Sequence, residues 1–288
     1  MIIVQAALSG LLQGGLFAIM AVGLSVTWGM LRIINLAHFA FILLGAYLTY
    51  SITTATGLNP LATTVVTGPA LFAAAAFLHW VFVRSRVSEF GSLLASFGVL
   101  IVAIQLTSNV WSADFRRLDT SVNPFATQSV AFGPIIFPTP ILLAFVAALV
   151  VTAAGVLFFD RTYPGRALRA FAQDPPIAAA FGINHLGLGI LLAGLSGATA
   201  ALAGMLVAIG TALTPTTAFE WFGTVFAVVI LGGVGSVTGA LLAGMSIGAL
   251  SAVVSVVWSP ATAPLAIFGA IVAALVFRPK GLFGEGLR

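Results

Sequence analysis

Long apolar blocks, separated by short polar or proline-containing stretches, fill most of the 288-residue chain. A helix that crosses about 30 Å of hydrocarbon needs about 20 apolar residues, whereas membrane β-barrels show alternating strands of about 10 residues. The blocks have helical length and lack that alternation. They predict an all-α polytopic integral membrane protein with about eight transmembrane helices, at 2–30, 36–55, 61–83, 91–112, 139–159, 186–210, 219–257 and 262–277.

The composition supports this class, because 60% of the residues are hydrophobic and only 6% are charged. So few charges cannot cover the surface of a soluble domain, which excludes soluble enzymes. The basic residues lie singly between apolar blocks and form no patch, so no nucleic-acid partner is expected. The chain has no cysteine, which excludes disulfides, a thiolate nucleophile and Cys-based metal sites. We expect no catalytic residues, no metal and no cofactor.

The basic residues predict an orientation in the membrane. If 160–182 is cytoplasmic, all 11 Lys and Arg residues except Arg116 and Arg117 fall on the cytoplasmic side, together with the C-terminal tail. The N-terminus is then outside, and the number of crossings must be odd. Since 219–257 is too long for one span and short for two, we predict a broken or re-entrant element there.

This broken element is expected to descend over about 219–231, turn at glycines near the cytoplasmic side, and return over about 236–257. The turn has the sequence Gly-Gly-Val-Gly-Ser at 232–236. Irregular backbone at membrane depth is tolerated where it is buried in protein or lines a cavity. The alternative is a single tilted helix with flexible glycines.

The chain is read as one transmembrane domain over 1–288, with two notable segments outside the spans. Segment 113–138 is long and polar, and we expect it outside the membrane, either contacting an external partner or acting as a solvated cap. Segment 160–184 is expected in the cytoplasm. The chain cannot hydrolyse ATP itself, because its only lysine, Lys280, is not in a phosphate-binding loop. Acidic residues within spans are too few to favour a proton or sodium relay.

Two stretches contain residues with candidate chemistry. Asn35 is predicted to cap the second span. His38, three residues on, is either an interfacial residue or helps Asn35 to fix the turn near a transport pathway. Gly-Leu-Ser-Gly at 194–197 resembles a motif of intramembrane serine proteases, which would need His38 or His79 as a base. We interpret Ser196 instead as a small packing residue or one bonded to a carbonyl one turn back.

Segment 160–184 is predicted to contain two short helices. The first places Arg166 and Arg169 on one face. Asp174 caps the second, which begins with two prolines and ends at Gly182. A short helix of small residues with one aromatic suits insertion into a groove on a cytoplasmic partner, although a solvated amphipathic loop is the alternative. The candidate coupling residues are Gly165, Arg166, Arg169, Ala170, Asp174, Ala178 and Gly182.

This segment resembles the cytoplasmic coupling segment of ABC-importer permeases, whose pattern is Glu-Ala-Ala, then three further residues, then Gly. Ala178 and Gly182 keep their places, whereas Pro176 occupies the Glu position. The fuller pattern, from Gly-Arg-Ala at 165 to Gly-Ile-Asn at 182, is similar to the branched-chain amino-acid permease family. Stretches 34–47, 231–240 and 277–284 also resemble motifs of that family. Phe39 departs from it, because the family usually has Gly there. If that glycine lets a substrate or backbone come close, Phe39 would narrow the path and could change the cargo.

The resemblance implies a permease subunit of an ABC importer in the bacterial inner membrane, carrying branched-chain or other small amino acids. It also implies two ATP-binding subunits, a second related permease or a second copy of this chain, and an extracytoplasmic binding protein. Urea or short amides are alternative cargoes within the family, and a stand-alone secondary carrier or channel is the alternative from another class. The candidate pathway residues are Asn35, His38, Phe39, Gly232, Gly233, Gly235 and Ser236.

Overall fold

The computed structural model describes residues 1–277 and Gly281. Most of the chain in these ranges is helical, which confirms the predicted fold class. The helices are α1 (Ile2–Leu31), α2 (Ala37–Thr56), α3 (Thr64–Arg84), α4 (Glu89–Trp111), α5 (Thr139–Arg161), α6 (Tyr163–Gln173), α7 (Pro175–Ala180), α8 (His185–Gly210), α9 (Thr217–Gly232), α10 (Val237–Val257) and α11 (Ala263–Phe277). Single 3-10 turns, Pro60–Thr63 and Pro260–Thr262, precede α3 and α11.

Eight helices in the described ranges are long and apolar enough to cross a membrane: α1, α2, α3, α4, α5, α8, α10 and α11, with α3 and α11 counted together with their 3-10 turns. They correspond to the eight predicted apolar blocks. The basic tail residues Arg278, Lys280 and Arg288 lie outside the described residues.

The helices form an enclosed centre and an outer layer. α2 and α8 are the most enclosed spans, whereas α5 and α11 are mostly exposed. Large apolar side chains such as Phe77, Leu106, Val150 and Leu265 are exposed on the outer helices. In a membrane protein such surfaces face lipid tails, because lipid is as apolar as the side chains.

Helices α1 and α10 pack antiparallel at very short range through glycines. Gly10 faces Gly248, and Gly14 faces Gly244. A Cβ atom on Gly14 would lie 2.6 Å from the Cα of Met245, closer than real side chains approach. These glycines, spaced by four in each helix, let the two backbones come into direct contact.

The predicted break in 219–257 is present. α9 ends at Gly232, and α10 begins at Val237, with Gly233 and Gly235 at φ of 86° and 88°. Ser236 caps α10 by accepting a hydrogen bond from the Gly239 N–H at 3.0 Å. With 16 residues, α9 is about 24 Å long, too short to cross the hydrocarbon alone. The alternative of one continuous helix is therefore wrong.

Segment 113–138 contains regular secondary structure, which its polar sequence does not indicate. It contains a two-stranded antiparallel hairpin, β1 (Ser129–Phe132) and β2 (Ile135–Pro138). Arg116 and Leu213 exchange backbone hydrogen bonds of 2.9 and 2.7 Å. The Asn123 side chain donates to the Ile209 carbonyl at 3.0 Å. The segment is thus tied to the end of α8.

Candidate functional site

A buried polar cluster links α1, α2 and α8. The Nε2 of His38 lies 2.8 Å from the Met20 carbonyl oxygen, and its Nδ1 lies 3.1 Å from the Ser196 hydroxyl. A carbonyl only accepts, so Nε2 carries the proton, and Nδ1 accepts a hydrogen bond from Ser196. His38 is 1% exposed. Gly23 makes room for the cluster, since a Cβ there would lie 2.6 Å from the His38 ring.

Ser196 was expected to pack as a small residue or to bond a carbonyl one turn back; it is buried, but the predicted carbonyl bond is wrong. Its hydroxyl is instead bonded to His38, from a helix distant in sequence. The other ring nitrogen of His38 donates to the Met20 backbone, which orients the imidazole. The pair therefore joins three spans at a buried point.

The start of α2 lies inside the bundle. Its His38 bonds to Met20, about three helical turns before α1 ends at Leu31. Asn35 is not the N-cap residue, which is Leu36; the Asn35 side chain accepts from the Ala37 N–H at 3.1 Å. The Leu36 N–H is satisfied by the Ser96 hydroxyl at 2.9 Å.

Phe39 belongs to an aromatic cluster between α2 and α9. Its ring centroid lies 4.2 Å from that of Phe222 and 6.2 Å from that of Phe226. Trp28 of α1 contacts Phe226 edge-on at 6.2 Å. Phe39 is fully buried. It therefore fills space that glycine would leave open, at the position where the chain departs from the family motif.

The glycine turn between α9 and α10 is held by α1. The Gly235 N–H lies 3.1 Å from the Ser25 carbonyl and 3.0 Å from the Ser25 hydroxyl, and both accept from it. The Ser236 N–H bonds to the Gly233 carbonyl at 3.1 Å. These N–H groups are therefore already satisfied within the protein.

The candidate pathway residues form two groups rather than one. Asn35, His38 and Phe39 lie at the start of α2, whereas 232–236 forms the glycine turn. Both groups contact α1, the first through Met20 and the second through Ser25. The hydrogen bonds that Met20 and Ser25 make to these two groups were not predicted. A backbone carbonyl and a single serine in an apolar span belong to no recognisable sequence motif.

A cavity of about 430 Å³ lies beside the buried cluster, between α1, α5, α8 and α10. Ser196 and Thr199 provide the hydroxyl groups of its lining, and the remaining residues are apolar or glycine. Its chemistry therefore suits an apolar group.

The segment 160–184 forms two helices that differ in how firmly they are attached. Thr162 caps α6 by accepting from the Gly165 N–H at 3.2 Å. Gly165 packs directly on the backbone of α5, where a Cβ would lie 2.6 Å from Phe159 Cα. Arg169 points back to α5, forming a 2.6 Å ion pair with Asp160. α6 is therefore fixed to α5, whereas Arg166 and Ala170 are exposed.

α7 has the predicted caps. The Asp174 carboxylate accepts from the Ile177 N–H at 3.0 Å, and Gly182 has φ of 78° just after the helix. Ala178 is buried. The side chains of Ile177 and Phe181 are 56% and 84% exposed, so α7 presents an apolar surface away from the bundle.

Comparisons with known proteins identify the family of the chain. The family described as branched-chain amino acid transport system / permease component matches residues 6–277. The chain belongs to this family. Members are the permease components of ABC importers and are not enzymes, which implies ATP-binding and substrate-binding partners.

The curated relatives have similar length. The chain is 28% identical to the high-affinity branched-chain amino acid transport system permease protein BraD of Pseudomonas aeruginosa, covering 98% of this chain and 95% of the relative. It is 26% identical to LivH of Escherichia coli K12, again covering 98% of this chain and 95% of the relative. A probable LivH of Methanocaldococcus jannaschii is 21% identical over 83% of this chain and 76% of the relative. No solved structure matches.

Proposed function

We propose that the chain forms part of the membrane pathway of an ABC importer for branched-chain amino acids. The match to the permease family over 6–277 carries this proposal, and the names of the relatives supply the cargo class. Its partners are two ATP-binding subunits, a second related permease or a second copy, and an extracytoplasmic binding protein. The segment 160–184 and the tail lie in the cytoplasm of a bacterial cell.

The contacts of α6 and α7 support a coupling role. Exposed Phe181 docks in a groove on an ATP-binding subunit, while α6 moves with α5 through the packing of Gly165. Arg32, just after α1, donates to the Ala172 carbonyl of α6 at 3.5 Å. Movement of the docked segment therefore reaches α1, which contacts both groups of candidate pathway residues.

The coupling role is tested by changing the exposed aromatic. Phe181→Asp should prevent co-purification of the ATP-binding subunits and abolish ATP-driven uptake, because a charge replaces the apolar surface. Phe115→Asp is the control, since Phe115 is 81% exposed in segment 113–138. Co-purification that is equal for both variants would contradict the proposal.

The cargo and the orientation of the chain in the membrane are tested by separate experiments. Uptake of labelled leucine by the complete complex should be reduced by excess valine but not by urea, and uptake by this chain alone in proteoliposomes would favour a carrier instead. Because the chain contains no cysteine, Phe181→Cys and Phe115→Cys can each be labelled with an impermeant maleimide. In intact cells only Phe115→Cys should react. Reaction of Phe181→Cys would show that the protein has the opposite orientation in the membrane.

A further inference from the structure

One face of α1 is polar near its N-terminal end. Gln5, Ser9 and Gln13 are spaced by four, so they project from the same side of an otherwise apolar helix. Turning an unbonded amide towards hydrocarbon costs several kcal/mol. This face therefore needs water, protein or a ligand next to it.

The polar face lines a cavity of about 590 Å³, which we call the outer groove. Ser251 of α10 adds a hydroxyl to the same lining. Phe17, Ile136 and Ile141 provide apolar walls from α1, the hairpin and α5. The outer groove thus has a polar side and an aliphatic or aromatic side.

Several polar groups of the outer groove are available to a ligand. In residues 1–277, the Gln13 amide and the Ser9 and Ser251 hydroxyls have no hydrogen-bond partner in the protein. The Gln5 amide makes a 3.5 Å hydrogen bond to the Ile136 carbonyl. A glutamine amide can both donate and accept, so it can bond to a carboxylate and to an ammonium group.

The lining also restricts the kind of ligand. It has no Asp, Glu, Lys, Arg or His, so it offers no counter-charge for a net anion or cation. Its volume lies within the roughly 300–1,000 Å³ of small-molecule sites, which combine apolar walls with few polar groups. A zwitterion with an aliphatic side chain has this combination of properties.

We propose that the outer groove binds an aliphatic amino acid as it enters the permease, with Gln13 bonding to its charged backbone groups. This inference rests on the proposed import function. The groove lies at the hairpin end of the bundle, whereas the glycine turn and α6 lie at the other end of α1. Its position is therefore that of an entrance site, opposite the ATP-binding subunits.

The absence of cysteine allows a direct test in the complete complex. Ser9→Cys places a thiol in the outer groove, and Ser121→Cys places one on the exposed external segment as a control. Both should react with maleimide. Millimolar leucine should slow the reaction of Ser9→Cys only, and glutamate or lysine should not.

A second pair of variants tests whether the Gln13 amide binds the ligand. Adding Gln13→Leu to Ser9→Cys should raise the leucine concentration needed for protection about tenfold, as expected for losing a hydrogen bond to a charged group. Gln105→Leu is the matched control, because Gln105 is an exposed glutamine of α4 bonded to Asn109. It should leave the protection unchanged.

Three results would overturn the proposal. The first is that leucine never slows the labelling of Ser9→Cys, and the second is that Ser9→Cys is not labelled in any condition. The third is that a second permease shields Ser9→Cys from maleimide whether or not leucine is present. Failure of the import function is distinguishable, because ATP-driven leucine uptake by the unaltered complex would then be absent. Uptake that persists without leucine protection would contradict the outer groove alone.

Discussion

The close contact between α1 and α10 predicts opposite effects for the same substitution at two glycines. In Gly14→Ala, the new Cβ would lie 2.6 Å from Met245 Cα, where ordinary contacts begin at 3.4 Å. The Gly244 carbonyl oxygen is closer still, so the two helices must separate locally by at least about 0.8 Å, and such overpacking costs about 1–3 kcal/mol. In Gly98→Ala, nothing lies within 4 Å of the Cβ. That variant gains helix propensity, up to about 1 kcal/mol.

Both variants share the propensity gain, so the difference between them isolates the steric cost. We expect Gly14→Ala to have a free energy of unfolding lower than that of Gly98→Ala by about 1–3 kcal/mol. The measurement is a titration of purified protein in mixed micelles with SDS, followed by tryptophan fluorescence. Equal unfolding midpoints and slopes for the two variants would refute the close helix contact.

Two further substitutions test single polar contacts in the same titration. Ser196→Ala should lower the free energy of unfolding by about 1–3 kcal/mol, because it leaves Nδ1 of buried His38 without a donor. Exposed Ser246 is the control, and an equal loss in Ser246→Ala would contradict the buried pair. Asp160→Asn should cost less than about 1 kcal/mol, since both partners of its pair with Arg169 are nearly half exposed. The cost should shrink in 1 M salt, and a larger, salt-independent loss would indicate a buried role.

Much of the fold was predictable because the spans are long and continuously apolar. The break at 232–236 was predictable for a different reason: the orientation rule required an odd number of crossings, and glycines marked a place for the turn. The hairpin was missed, since its strands have only four residues each and Ser129–Phe132 is exposed at every position. Strands so short leave no readable alternation in sequence.

The candidate site was less predictable. His38 was singled out, but Ser196 was connected with it only through the protease-like motif, which was set aside, and nothing in a single sequence pairs His38 with the Met20 carbonyl. Asn35 was expected to be the N-cap of α2, whereas the N-cap is Leu36 and the Asn35 side chain accepts a hydrogen bond from the Ala37 N–H. The caps of α7 were predicted correctly, since capping is a local effect of neighbouring residues.

The packing of α1 against α10 has a consequence for biosynthesis. Gly14 meets Gly244 only after about 230 further residues have been made, which takes roughly 10–50 s at typical rates of synthesis. During that interval α1 lacks the helix against which its glycines pack. We therefore expect a chain truncated before α10 to lack this packing and to be recognised by quality-control proteases.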